Sequence, residues 1–341
     1  MSELRQDPAT KRWVIIASER ARRPHQFVAT VNRAPVPEYD PSCPFCPGNE
    51  GKTPPEVYAV RSDGSADSPG WSVRVVPNRF AALSPDTPLE IRRPDICTSI
   101  GGYGAHEVII EAPQHNLTLA TMPRAHVEQV VAATLHRLTT LGRNRSFAYV
   151  AKFRNHGAAA GTSLVHPHSQ IIATPIVPAE VRNEIEEARR FYDDRVHCVY
   201  CTIIAEEMEE GRRVVLEAPE YIVITPFASR FPFELMIIPR EHASSFLMGH
   251  HQSTAWIAEA LHRTVRLLYL AANNPDYNLV IHTTPLRDTC EDYYHWHVEV
   301  LPRLTTPAGF ELGTGMYITT AVPEETAEYL RDFVPKVDED P

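Results

Sequence analysis

The sequence predicts an α+β fold in which one unit is written twice, and three observations predict it. Two C-x-x-C pairs, "CPFC" at Cys43/Cys46 and "CVYC" at Cys198/Cys201, stand in a chain of 341 residues. Each pair is followed by a β-like segment ending in histidine, "HEVIIEAPQH" at His115 and "FELMIIPREH" at His242. Each half then closes on H-x-H in a strand-like run, His166/His168 in "HPHSQIIATP" and His295/His297 in "HWHVEVLPR". His115 precedes His166 by 51 residues and His242 precedes His295 by 53. The same landmarks in the same order mark an internal repeat.

Between these landmarks each half carries a helix and a strand. Residues 123–142 put Val127, Val130, Val131, Leu135, Leu138 and Leu141 on one stripe, and residues 252–272 do the same with Ile257, Leu261, Val265 and Leu268. "FAYVAKF" and "YNLVIH" follow as strands. The polar run 176–197 reads as a connecting helix, which divides the chain into units 1–180 and 190–341. The first half is longer between its C-x-x-C and its first histidine, so an insertion is expected there, in the loop-rich 47–70 and 81–102.

Composition bounds the function. Hydrophobic residues make up 43% and charged residues 22%, ordinary for a globular protein of about two domains. The N-terminal "MSELRQDPATKRW" has no apolar run of the signal-peptide kind, and no apolar stretch reaches membrane-spanning length. A cytoplasmic protein with no membrane partner is expected. A net charge of −10 repels nucleic-acid backbones, so no nucleic-acid partner is expected, although a small phosphorylated ligand can still be held by a few local donors.

In a reducing compartment, paired cysteines read as metal ligands or redox motifs before disulfides. "PSCPFCPGNE" is rich in proline and suits a zinc-knuckle turn better than the start of a thioredoxin-type helix. Each half offers two cysteines and two histidines, the donors that tetrahedral zinc prefers. The sets are Cys43, Cys46, His115 and His166, then Cys198, Cys201, His242 and His295, giving two Zn2+ per chain. Four protein ligands leave no open position, so such metals are structural, and His168 is left unexplained.

His168 follows His166 by one strand period, with Gln170 one period further, so all three should share a face. A neutral imidazole is a good nucleophile at pH 7 without a strong base. The approach "NHGAAAGTS" lets backbone N–H groups and Ser163 come near an anion. Gln170 can donate a hydrogen bond to a phosphate oxygen but cannot act as a general acid. That combination favours transfer between phosphates over hydrolysis. His297 lacks both the glycine-rich approach and the glutamine, and is not expected to be a nucleophile.

"HPHSQ" after "NHGAAAGTS", with "CPFCPGNE" and "RARRPHQF" upstream, resembles the galactose-1-phosphate uridylyltransferases of the histidine-triad superfamily, over about residues 4–335. The resemblance implies duplicated histidine-triad-like units with an antiparallel sheet and packed helices, assembled as a homodimer. It implies a ping-pong reaction in which His168 takes the uridylyl group from UDP-glucose and passes it to galactose 1-phosphate. Gln170 and Ser163 match residues holding the phosphates. Arg20, Arg23, Asn78 and Asn155 match positions that bind the nucleotide sugar, and the first Cys/His set matches the family's zinc ligands. Better-known members place a second metal on a glutamate and three histidines, here near Glu184, His282, His295 and His297. The second C-x-x-C and "GFELGTGMYI" look instead like the related ADP-glucose phosphorylases, which makes adenylyl transfer from ADP-glucose the alternative. Gly315 and Ala321 stand where the uridylyltransferases carry hexose-contacting residues, so the hexose is left open.

Overall fold

The protein is described here from a computed structural model, which covers residues 2–17, 24–27, 35–247, 254–288 and 290–338. The first half runs through β1 (Glu3–Gln6), β2 (Trp13–Ile16), β3 (Tyr58–Arg61), β4 (Trp71–Pro77), β5 (Ile91–Arg92), β6 (Ser99–Ile100), β7 (Ala105–Ile110), α1 (Arg124–Gly142), β8 (Tyr149–His156) and β9 (His168–Thr174). The expected polar helix is α2 (Ala179–Arg195), which leads into α3 (Val199–Glu210). Then come β10 (Val214–Glu217), β11 (Tyr221–Ile224), β12 (Leu235–Pro239), α4 (Thr254–Ala271), β13 (Tyr277–His282), β14 (His297–Pro302), α5 (Gly309–Thr314), β15 (Tyr317–Thr319) and α6 (Pro323–Arg331).

The duplication is visible in the strand order. A ten-stranded antiparallel sheet runs β10-β11-β12-β14-β13-β8-β9-β7-β4-β3. Counted from each edge inward, both halves place their strands in the same sequence. They meet at β8 and β13, where Leu279 lies opposite Arg154 and Asn278 opposite Asn155. Each half therefore completes the other's sheet, and neither inner strand is left as an open edge.

Alternation along the strands divides the two faces. On β7, Glu107 and Ile109 turn towards α1, which buries Val127, Val130, Val131, Leu138 and Leu141 as its stripe predicts. Glu107 also takes a two-pronged ion pair from Arg137 of α1, at 2.9 and 2.7 Å. Helix α4 buries Ile257, Leu261, Val265 and Leu268 and packs beside α1, so one core runs under both halves. Among the described residues no helix is long and apolar enough to cross a membrane.

The opposite face is treated differently in the two halves. In the second half α2 and α3 roof it, with Ile185, Ala188, Tyr200 and Ile204 packing on Ile222, Ile224, Met236 and Ile238. In the first half no such roof forms among the described residues. Cys43, Phe45, Cys46 and Trp71 pack on Val76, Val108 and Ile110 at one side of His168's face.

Two sequence expectations need correction. The insertion is not in 47–70 as a whole, because β3 is the edge strand that matches β10. The extra length sits in the β3–β4 turn, 62–70, and in the connection 78–104, whose counterpart 225–234 is far shorter. His166 is not in the strand either. β9 begins at His168, and Pro167, with no N–H to donate to the ladder, separates the two histidines.

Candidate active site and metal centres

The expected ligand sets converge. Cys43, Cys46, His115 and His166 bring one donor atom each within 4.8 Å of the others, and so do Cys198, Cys201, His242 and His295. In the first set Cys46 Sγ lies 3.5 Å from His115 Nδ1 and 3.6 Å from His166 Nδ1, with 3.2 Å between the two nitrogens. In the second, Cys201 Sγ lies 3.2 Å from His242 Nδ1 and 3.6 Å from His295 Nδ1. A tetrahedron with metal–ligand bonds of about 2.0–2.3 Å has edges of about 3.3–3.8 Å, so the donors fit zinc. The tautomers fit as well. His166 Nε2 donates to Ala112 O at 2.8 Å and His242 Nε2 to Glu291 O at 2.6 Å, which leaves each Nδ1 bare for a cation.

Charge supports the same reading. Burial pushes His166 down to about 4, so it is a neutral donor at pH 7. Burial also pushes the Cys43 thiol up to about 11, a cost that a bound cation removes. In the second set the hydrogen bond from Cys201 pulls Cys198 down to about 3, while the same contact pushes Cys201 up. A divalent ion would hold both as thiolates.

His168 is buried and faces Phe45 edge-on at 5.4 Å. Its Nδ1 donates to the His166 carbonyl at 2.8 Å, so a residue of the first Cys/His cluster also sets the imidazole's tautomer. Nε2 is left unprotonated, with its lone pair in the ring plane. Burial lowers the His168 pKa against the hydrogen bond to His166 O, and the Arg154 guanidinium beneath the sheet adds to the lowering, which favours the neutral ring. Arg154 is paired there with the fully buried Glu111.

Gln170 shares His168's face. Asn78 turns its amide towards Gln170, with Nδ2 3.4 Å from Oε1. Asn155, two residues from Gln170's partner Phe153, lies on the same face and accepts from Asn278 Nδ2 at 2.8 Å. Ser163 is exposed at the end of the glycine-containing loop. Arg20 and Arg23 lie outside the described residues.

The loop's role differs in one respect from the sequence reading. Its N–H groups are largely spent within the protein: Ala160 donates to Gly157, Gly161 to Ala158, and Ala159 to the Asp276 carboxylate at 2.6 Å. Gly157, at φ +83°, admits this contact because a Cβ there would fall 1.9 Å from Asp276 Oδ1. Asn278 holds the same loop through Ala160 O at 2.9 Å. The second half thus supplies Asp276 and Asn278 as the loop's buttress. Sequence reasoning missed both, since neither lies in a motif and only β8–β13 pairing brings them there.

His297 keeps the backbone frame of His168 but has different neighbours. Its Nδ1 donates to His295 O at 3.1 Å, but Nε2 faces Glu184 Oε1 at 3.5 Å and the ring is stacked between Tyr200 and His282, each at 4.6 Å. Glu299 replaces Gln170, and a carboxylate repels phosphate. Glu184, His282 and His297 form a third possible ligand group, from which His295 has been withdrawn into the cysteine set. Burial alone would raise Glu184, but the charge of His282 holds it at about 2. Burial would lower His282, but Glu184 and Glu299 lift it to about 10. These groups therefore satisfy one another as an internal ion-pair network. A cavity of about 620 Å³ lies on this side of the molecule, and its arginines Arg12, Arg213 and Arg230 are already paired, with Glu180, Glu207, Glu234 and Glu299 among their partners. Among the described residues it offers no unpaired guanidinium to a phosphate. Gly315 lines it, whereas Ala321 is buried in the core.

An expected result follows for His297. His297→Gln should leave nucleotidyl-enzyme formation within about tenfold of wild type, the range for a residue that touches no reacting atom. Complete loss in a folded, metal-loaded protein would overturn the asymmetry between halves.

Comparison with known proteins agrees with this architecture. Residues 1–178 match the family model of the galactose-1-phosphate uridyl transferase N-terminal domain, and residues 104–339 match a domain of unknown function, DUF4921. An ADP-glucose phosphorylase from Arabidopsis thaliana is 34% identical over 97% of this chain and 92% of its own length. A galactose-1-phosphate uridylyltransferase from Thermotoga maritima is 29% identical over 97% of this chain and 98% of its own. The solved structure of an ADP-glucose phosphorylase from Arabidopsis thaliana with bound ADP-glucose superposes with a TM-score of 0.81 at 31% identity, covering 97% of this chain and 99% of that one. With a doubled sheet, two Cys/His centres and a histidine whose Nε2 is left bare, this chain belongs to the galactose-1-phosphate uridylyltransferase family.

Proposed function

We propose that this nucleotidyltransferase works by ping-pong transfer through a covalent nucleotidyl-His168. Nε2 of His168 attacks the α-phosphorus of a nucleotide sugar, the bond to the bridging oxygen breaks, and sugar 1-phosphate leaves with that electron pair. An acceptor phosphate oxygen then attacks the same phosphorus and frees Nε2. The observation that carries the reading is the hydrogen bond from His168 Nδ1 to His166 O. It presents Nε2 with its lone pair, and it stabilises the positive ring formed when Nε2 is substituted. Gln170 donates to a non-bridging oxygen, and Asn155 and Ser163 line the approach. No acid is needed at the leaving oxygen, because a sugar phosphate is already stable as an anion.

Zinc in both Cys/His sets supports this chemistry from outside it. Each ion would cross-link the C-x-x-C to the segment before the H-x-H strand and hold that strand's first turn. The reading includes a homodimeric, cytoplasmic enzyme acting on nucleotide sugar and sugar 1-phosphate or phosphate.

Two donors are in contention. Uridylyl exchange between UDP-glucose and galactose 1-phosphate stands first on motif resemblance. Adenylyl transfer from ADP-glucose to phosphate gains support from the 34% identity to an ADP-glucose phosphorylase and from the Cys198 set. On those grounds ADP-glucose is the better-supported donor. The test is to incubate the protein separately with ADP-glucose and UDP-glucose labelled in the nucleotide, and to measure label retained on the denatured chain. Label from ADP-glucose at a rate at least tenfold above UDP-glucose is expected. The reverse order would restore the uridylyl reading, and no label from either would remove the covalent mechanism.

A further inference from the structure

We infer that His106 is a positioning residue for this reaction: it decides which end of the Gln170 amide faces the phosphate. The inference rests on the proposed role of Gln170 as a phosphate donor. An amide's two ends have nearly the same shape, so a glutamine beside a phosphate can turn either its NH2 or its oxygen towards it. Only the first helps, since oxygen against phosphate oxygen repels. Some neighbour must break the tie.

His106 lies on β7, on the same face as Gln170, whose direct partner is Val108. Its Nδ1 accepts the backbone N–H of Ala82 at 3.2 Å. A neutral imidazole has one proton, and with Nδ1 accepting, that proton is on Nε2. Nε2 sits 2.7 Å from Gln170 Oε1 and therefore donates to it. Asn78 Nδ2 lies 3.1 Å from His106 Nε2 and 3.4 Å from the same oxygen; with Nε2 protonated, the oxygen is its acceptor, and its own orientation is set because its Oδ1 accepts the Phe80 N–H at 2.8 Å. With two donors on Oε1, the Gln170 NH2 is the end left for the phosphate. The flipped amide would put NH2 against the N–H of His106 and the NH2 of Asn78.

The segment that supplies Ala82 and Asn78 belongs to the connection 78–104, which is far longer than its counterpart 225–234 in the second half. At the matching positions the second half has Glu234 and Glu299, bridged by Arg230 at 2.9 and 2.7 Å. The extra length is thus tied to the half that carries the donor amide.

The test is a double-mutant cycle on the full-length, zinc-loaded protein. It measures formation of the nucleotidyl-enzyme from whichever labelled nucleotide sugar wild type accepts. His106→Ala should lower the maximal rate by about tenfold or more with little change in half-saturating substrate, as expected for losing the aim of one charge-stabilising donor. The His106→Ala/Gln170→Ala protein should be within about twofold of Gln170→Ala alone, because the histidine has nothing left to orient. His106→Gln, which retains an amide donor, should recover part of the rate, and His106→Phe, which retains only a ring, should not. Losses that multiply in the double variant, or full activity in His106→Phe, would overturn the inference. Wild type that takes no label, or a Gln170→Ala protein of full rate, would instead sink the proposed function on which it rests.

Discussion

His168→Gly is expected to abolish nucleotidyl transfer between sugar phosphates while leaving zinc content and melting temperature close to wild type. The ring it removes packs against Phe45 and bonds one backbone carbonyl, so the fold loses two contacts and the reaction loses its nucleophile. The cavity left behind has the size of an imidazole, and Gln170 and Asn155 remain on the same face of the sheet. Added imidazole should therefore attack the bound nucleotide sugar and release sugar 1-phosphate and nucleotidyl-imidazole. Rescue will be partial, because a diffusing nucleophile forfeits an effective molarity of about 10⁵ M or more. Turnover by His168→Gly without imidazole would leave His168 as a binding residue and end the covalent mechanism.

The second large effect concerns the first metal centre. His166 is at once a donor to that centre, a donor to Ala112 O, and the carbonyl on which His168 orients. His166→Ala should remove close to one of two zinc ions per chain and lower the melting temperature by roughly 10 °C, as for loss of a structural metal. It should also slow nucleotidyl transfer, and imidazole should not restore it as it restores His168→Gly. Elemental analysis and a thermal melt check this together. Fewer than one zinc ion in the gently purified wild type, or unchanged zinc in His166→Ala, would break the assignment of a duplicated structural site.

Much of this molecule could be read from one chain because its information is local and repeated. The two C-x-x-C pairs and the two H-x-H pairs announced the ligand sets, since few arrangements of cysteine and histidine at those spacings serve anything but a metal. The apolar stripes of α1 and α4 announced helices, because burial of one face imposes a period that survives in sequence. The difference between the surroundings of His168 and His297 was also legible, from Gln170 against Glu299 and from the glycine-containing loop.

Tertiary structure decided what depends on distant segments meeting. Asp276 and Asn278 buttress the loop at Gly157–Ala160 only because β13 pairs with β8, a contact between halves that no local pattern encodes. His106 is one polar residue in an alternating strand until Ala82 occupies its Nδ1 and Gln170 its Nε2. The placement of the insertion was misread for a similar reason: an edge strand such as β3 has too few residues to distinguish it from loop. Side-chain type and periodicity are written along the chain. Tautomers, amide orientation and the partner of a buried carboxylate are set by the three-dimensional field of donors and acceptors, which exists only after the strands have paired.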